Sequence, residues 1–266
     1  MKLFAVDRVA FSVFGEPIYW YGLIITFAIV LDFILLGFLC KKYGYDKDMP
    51  FDLVLSAVVL GIVGARLFSV LFDTSAGISD FFNFRDGGMS IIGGLIGGVI
   101  GVGVYSLIKK CNFFMVTDVL APLVILAQGI GRWGNFFNEE VYGMEVINKS
   151  LQWFPFAVNV DGGWYLALFF YESVLNILGF VLLIFLLKRY RTSFGITTGA
   201  YLVYYGVIRM ILETFRDNEF ILRWGSLPIS QLMSGVMALV GVAIIITTVI
   251  LNNKTRKGIE VGKPNI

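Results

Sequence analysis

The 266-residue chain contains no histidine. That absence excludes a Ser-His-Asp triad and any metal or haem held through imidazole, and it removes the commonest general base near neutral pH. Cysteine is nearly absent as well. Cys40 and Cys111 form no C-x-x-C or metal-ligand spacing, so neither a metal nor a cofactor is expected. Charge is scarce, at 15% of residues against about 25% in an ordinary soluble domain. The net charge of +2 supplies no field that would recruit nucleic acid, and no such partner is expected. Chemistry is left to Arg, Tyr, Asn, Asp, Glu and backbone dipoles. The N-terminal stretch does not read as a signal peptide, because Asp7 and Arg8 interrupt its apolar run and no small-residue cleavage site follows.

What the chain has instead is apolar surface: 58% hydrophobic residues and a mean hydropathy of +0.81. Runs of about 20 apolar residues suit a membrane-crossing helix. The scan gives seven, at 18–40, 51–72, 90–108, 117–137, 165–187, 196–213 and 229–251. The expected fold is an all-α membrane protein, one polytopic domain over residues 1–266. Lys and Arg set its orientation. Twelve fall in one set of connections: Lys41, Lys42 and Lys47, then Lys109 and Lys110, then Lys188, Arg189 and Arg191, then the tail from Lys254. Six fall in the other set. The richer side is expected to be cytoplasmic, which puts the N-terminus outside and the tail inside. Both cysteines then lie near the cytoplasmic face, where thiols stay reduced.

Charges inside spans are costly and mark functional candidates. Arg66, Arg132 and Arg209 lie in spans two, four and six, which all run outward. Each sits roughly 6–9 Å below the outer boundary at 1.5 Å per residue. Two readings stand. Each arginine can snorkel to the headgroups, or the three form a cationic pocket for an anionic headgroup, for which the guanidinium fork is suited. Glu172 in span five falls at a similar depth. Glu213 is four residues after Arg209, on the same helical face, as a structural partner or as part of the pocket. Glu139 and Glu140 close span four. Tyr21, at the outer level of span one, reads as a belt tyrosine or a site residue. Tyr205 faces the same way as Arg209. Asp118 opens span four, where it complements the helix dipole. Asp32, near the middle of span one, has no evident partner.

Residues 87–103 read GGMSIIGGLIGGVIGVG. Gly93/Gly97, Gly94/Gly98 and Gly97/Gly101 are small-xxx-small pairs that let helix backbones approach closely in lipid. Ser90 is placed to cap this span. Its outer end, with Gly87, Gly88, Gly93 and Gly94, could present free N–H groups to an anion.

The run GRWGNFFNEEVYG, Gly131 to Gly143, resembles the signature of bacterial prolipoprotein diacylglyceryl transferases, G-R-x-G-N-F-x-N-x-E-x-x-G. Every fixed position matches. Further matches are YWYG at Tyr21, GARL at Arg66, DGGMS and GGLIG over 86–97, YES at 171–173, and YG-x-x-R at 205–209 followed by Glu213 and Arg216. The resemblance implies transfer of the diacylglyceryl group of phosphatidylglycerol to the lipobox cysteine thiol of a prolipoprotein, with release of glycerol 1-phosphate. The partners it implies are phosphatidylglycerol, the signal peptide carrying that cysteine, and membrane lipids. The implied location is the bacterial cell membrane, with the active site toward the outer leaflet. It ties Arg132, Asn135, Glu140, Gly143, Tyr21, Tyr205 and Arg209 to activity or lipid binding.

Two positions depart from the pattern. Such proteins typically carry His or Tyr just before the GGLIG glycine pair, and here it is Ile92; the HP pair before the YES triplet is Leu166–Ala167. A ring associated with thiol deprotonation is therefore missing. On this reading Arg132 and Arg209 take up the charge of the leaving phosphate, with Arg66 as a third cation. Asn135 holds the headgroup glycerol. Glu140 is the remaining base, with Tyr21 or Tyr205 as orienting donors. Arg66, Ser90, Gly93, Gly94, Gly143, Glu172 and Glu213 complete the expected lipid site. The alternative is a family member that binds lipid without transferring it.

Overall fold

The computed structural model describes residues 7–72, 90–221, 223–224 and 227–261. Gly87 and Gly88 lie outside the described residues. Among the described residues helices occupy the positions of the expected spans: α1 (Trp20–Tyr43), α2 (Met49–Phe72), α3 (Ile91–Ile108), α4 (Phe113–Phe137), α5 (Leu168–Tyr190), α6 (Ile196–Glu213) and α7 (Ile229–Val261). All ends fall within four residues of the expected spans except that of α7, which continues past 251. Among the described residues α1, α2, α4, α5 and α7 are long and apolar enough to cross a membrane, and α3 is a shorter apolar helix. The chain is a multi-pass membrane protein built on helices.

Among the described residues three two-stranded antiparallel hairpins, which the span scan does not anticipate, join or precede the helices. They are β1 (Val9–Val13) with β2 (Glu16–Tyr19), β3 (Ala157–Val160) with β4 (Gly163–Leu166), and β5 (Arg223–Trp224) with β6 (Leu227–Pro228). The first two turn on Phe14–Gly15 and Asp161–Gly162, all four residues at positive φ, the geometry that fits the twist of a two-residue hairpin loop. The second hairpin delays α5 to Leu168.

The chain forms two compact units. One runs over Phe33–Thr117 and is dominated by the α2–α3 pair. The two helices meet backbone to backbone. A Cβ on Gly97 would collide with the Leu60 carbonyl, one on Gly93 with the Gly64 carbonyl and Phe68, and one on Gly101 would lie 2.7 Å from Ser56 O. Gly97→Ala is therefore expected to destabilise the protein by roughly 1–3 kcal/mol through overpacking, read as a lower thermal midpoint in detergent. Gly103→Ala, where a Cβ meets nothing within 4 Å, is the control and should leave the midpoint unchanged or raise it.

The other unit contains the chain up to Asp32 and from Asp118 onward. Here Asp118 departs from its expected role. The N-terminus of α4 is capped by Asn112, whose Oδ1 accepts from the N–H groups of Phe114 (2.8 Å) and Met115 (3.2 Å). Asp118, five residues into α4, caps α6 instead. Its carboxylate accepts from Gly195 N–H at 2.7 Å, Thr198 N–H at 2.7 Å and the Thr198 hydroxyl at 2.6 Å. The N-cap residue of α6 is Gly195, at φ 107 with no side chain to offer, so the cap comes from a neighbouring helix. Asp118→Ala strands buried donors and is expected to cost about 3 kcal/mol, seen as a lower thermal midpoint. Asp118→Asn should cost less.

Within this unit α6 also packs closely on α7, where Gly206 faces Ser234 and Gly241 faces Gly199. Tyr204 of α6 donates to Leu175 O of α5 at 2.7 Å. Gly129 of α4 lies against Asn176 of α5. These contacts hold α4, α5 and α6 side by side.

Candidate active site

Three helices each contribute one face of a buried charged cluster. From α4 comes Arg132, from α5 Glu172, and from α6 Tyr205, Arg209 and Glu213 at i/i+4 spacing. Arg132 Nη2 lies 2.8 Å from Glu172 Oε1. Arg209 Nη1 lies 3.1 Å from Glu172 Oε2, and its Nη2 lies 3.2 Å from Glu213 Oε2. Arg216, just beyond α6, places Nη1 at 3.2 Å from both oxygens of Glu213. The Tyr205 hydroxyl accepts from Arg132 Nη2 at 3.3 Å and makes a long 3.5 Å contact to Glu172. The result is a continuous chain, Arg132–Glu172–Arg209–Glu213–Arg216.

Glu172 is 3% exposed and Glu213 2%, so these are not surface pairs. Buried carboxylates need partners, and each has two arginines. Three guanidinium groups against two carboxylates leave one positive charge unmatched in low-dielectric surroundings. That surplus suits one monoanion. The cluster lines a cavity of about 10 Å³, together with Asn135, Val141, Leu168 and Phe169, room for about one water. An anion the size of a phosphate can meet these arginines only if one of them turns away from a carboxylate.

Asn135 also lines a second recess with Glu139, Glu140, Tyr142 and Asn159. Glu140 accepts from Asn138 Nδ2 at 3.2 Å and faces a groove of about 670 Å³ shared with Tyr21, Arg8 and Tyr19. Tyr21 lies in the first turn of α1, and its ring sits where a Cβ on Gly134 would be, 2.5 Å from Cδ2. The second glycine of the G-R-x-G-N run thus makes room for Tyr21. Glu139 (φ 54) and Val141 (φ 60) flank Glu140 in the left-handed region, which is rare for a β-branched residue and a recurrent mark of functional loops. Tyr142, packed against Tyr165 and Phe220, is held protonated to higher pH by burial, reinforced by Glu219.

The structure thus brings together Arg132, Tyr205, Arg209, Glu172 and Glu213, with Asn135 on the same cavity. Tyr21 and Glu140 share the neighbouring groove. Gly143 occupies a backbone crossing. Its N–H donates to Leu166 O at 2.9 Å, it bridges to Arg216, and a Cβ would lie 2.6 Å from Leu166 and 2.9 Å from Phe215 O. Arg66, Ser90, Gly93 and Gly94 belong to the other compact unit. There Arg66 is 4% exposed. Ser90 caps α3, with Oγ accepting from Gly93 N–H at 3.4 Å and its carbonyl from Gly94 N–H at 2.9 Å.

Residues outside the expected set also contribute. Arg216 reads as a loop cation in the sequence, yet its i+3 spacing from Glu213 was a usable signal. Tyr201 stacks on Tyr205 with ring centroids 5.9 Å apart and accepts from Gln128 Nε2 at 3.0 Å. Trp133 Nε1 donates to Ser173 Oγ at 3.1 Å, fixing α4 against α5 one residue from both Arg132 and Glu172.

Residues 8–247 match the profile of the family described as prolipoprotein diacylglyceryl transferase. A phosphatidylglycerol–prolipoprotein diacylglyceryl transferase of Finegoldia magna is 36% identical over 257 residues, covering 96% of this chain and 98% of that protein. One from Clostridium novyi is 38% identical, covering 95% and 100%. The transferase numbered 1 of Clostridium perfringens is 35% identical, covering 97% and 100%.

Proposed function

The chain belongs to the prolipoprotein diacylglyceryl transferase family, and from that premise and its buried arginine chain we propose how it works. It transfers the diacylglyceryl group of phosphatidylglycerol to the thiol of a lipobox cysteine in a prolipoprotein. It does so in the bacterial cell membrane as a seven-span protein, N-terminus outside, with its site toward the outer leaflet.

In this reaction sulfur attacks the glyceryl carbon, a C–S bond forms, and the C–O bond to phosphate breaks. The oxygen keeps the electron pair and leaves as glycerol 1-phosphate, while the thiol proton passes to a base. Negative charge grows on the departing phosphate. Fixed cations that meet it there lower the barrier more than they tighten substrate binding. Arg132 and Arg209 take that part, and Asn135, beside them on the same cavity, holds the headgroup glycerol. The thiol comes from the side of the groove that holds Glu140 and Tyr21. Glu140 accepts its proton, and Tyr21 orients it. A thiol of ordinary pKa about 8.5 needs only modest help, so a carboxylate suffices where this chain carries Ile92. Gly143 shapes the backbone beside this lipid site.

The observation that carries this reading is the surplus positive charge of the Arg132–Glu172–Arg209–Glu213–Arg216 chain, whose carboxylates are buried and whose arginines are partly buried between α4, α5 and α6. It matches the single negative charge of a phosphodiester. The test uses purified protein in vesicles of phosphatidylglycerol and a lipobox peptide. Thioether-linked lipid on the Cys peptide, none on its Ser counterpart, and one glycerol 1-phosphate per transfer are expected. Lipid binding without product would favour the non-catalytic reading.

A further inference from the structure

We propose that Arg216 is a positioning residue that frees Arg209 for the lipid phosphate by holding the charge of Glu213 in its place; this rests on the phosphatidylglycerol reading above. Arg209 is the middle member of the chain. Its Nη1 is committed to Glu172 and its Nη2 to Glu213. The cavity beside it, at about 10 Å³, admits no phosphate while both pairs stand. For Arg209 to turn toward an anion it has to loosen one carboxylate, and that carboxylate is then left buried without its partner, a costly state.

The two carboxylates differ in what remains to them. Glu172 keeps Arg132, but Arg132 is drawn to the same phosphate. Glu213 keeps Arg216, which binds both of its oxygens at 3.2 Å through one nitrogen. Glu213 is therefore the carboxylate that Arg209 can leave. Without Arg216, Glu213 would have Arg209 alone, and Arg209 would be captive. The same substitution would also bring the cluster to zero net charge, two arginines against two carboxylates. A residue three positions past the end of its helical partner thus sets whether the phosphate-binding cation is available.

A direct contact is the competing role, because Arg216 Nε is buried with no partner among the described residues. Charge compensation separates the two. In vesicles containing phosphatidylglycerol diluted in a zwitterionic lipid, Arg216→Gln is expected to raise KM for phosphatidylglycerol by about tenfold or more, with a smaller change in kcat. Arg216→Lys keeps the charge and should restore KM to within about threefold of wild type. Adding Glu213→Gln to Arg216→Gln removes the carboxylate that holds Arg209 and restores the single surplus charge, so KM should fall back toward wild type. A double variant as impaired as Arg216→Gln alone, or an Arg216→Gln that leaves KM unchanged, overturns the proposal. Thermal midpoints of all variants accompany the kinetics. If Arg216→Gln does not fold, the double variant is compared with Glu213→Gln alone, and a KM more than tenfold higher overturns it equally. Wild-type transfer in the same vesicles keeps the two questions apart: its absence refutes the proposed function, whereas its presence with no compensation refutes only the role of Arg216.

Discussion

Arg132→Ala is expected to reduce transfer by a factor of a thousand or so. Removing one preorganised donor from a developing oxyanion costs about 10²–10³ in rate. A second loss adds to it here, because Arg132 lies 2.8 Å from Glu172 and its removal leaves that carboxylate to pull on Arg209 alone. Arg132→Lys should recover part of the loss. An ammonium keeps the charge but does not reproduce the planar guanidinium whose Nη2 contacts both Tyr205 and Glu172. The measurement is incorporation of labelled diacylglycerol into a lipobox peptide by reconstituted protein. Transfer by Arg132→Ala at the wild-type rate would remove Arg132 from the reaction.

Glu172→Gln should be almost as damaging, for the opposite reason. Glu172 is 3% exposed and is the acceptor shared by Arg132 and Arg209. An amide of the same shape keeps the space but cancels the charge that holds two guanidinium groups near each other. The expected outcome is a fall in kcat/KM of about a hundredfold, together with a lower thermal midpoint. The same midpoint and unchanged kinetics would show that the arginines are held from elsewhere. Glu172→Asp, with its carboxylate drawn back by one methylene, should fall between the two.

Much of this arrangement was legible in the sequence, and the reason is the membrane. Lipid forces long apolar helices, so hydropathy placed all seven helix positions. Lys and Arg in the connections then put Arg66, Arg132, Glu172 and Arg209 at one expected level; Arg132, Glu172 and Arg209 are in contact in the structure, whereas Arg66 belongs to the other compact unit. The hairpins were harder. β3 and β4 have four residues each, and Trp164–Leu166 extends an apolar run that continues into α5. The Asp161–Gly162 pair was the available turn signal. Asp118 lies near the start of α4 as expected, but its partner is 77 positions away, and no local pattern encodes a cap supplied by another helix. Tyr21 and Glu140 were grouped with the arginines because they share a level, whereas the structure sets them in a separate groove. Depth along the membrane normal follows from helix rise, while rotation about each helix depends on packing that single-chain periodicity does not specify.

The central claim is that Arg132 and Arg209 act on the charge of the departing phosphate rather than only on the resting lipid. Single-turnover transfer at saturating phosphatidylglycerol, compared between wild type and Arg209→Lys, tests it most directly. A saturated rate that falls by about tenfold or more is expected, because the interaction strengthens as the C–O bond breaks. A saturated rate equal to wild type, with only the lipid concentration needed to reach it increased, would contradict the claim.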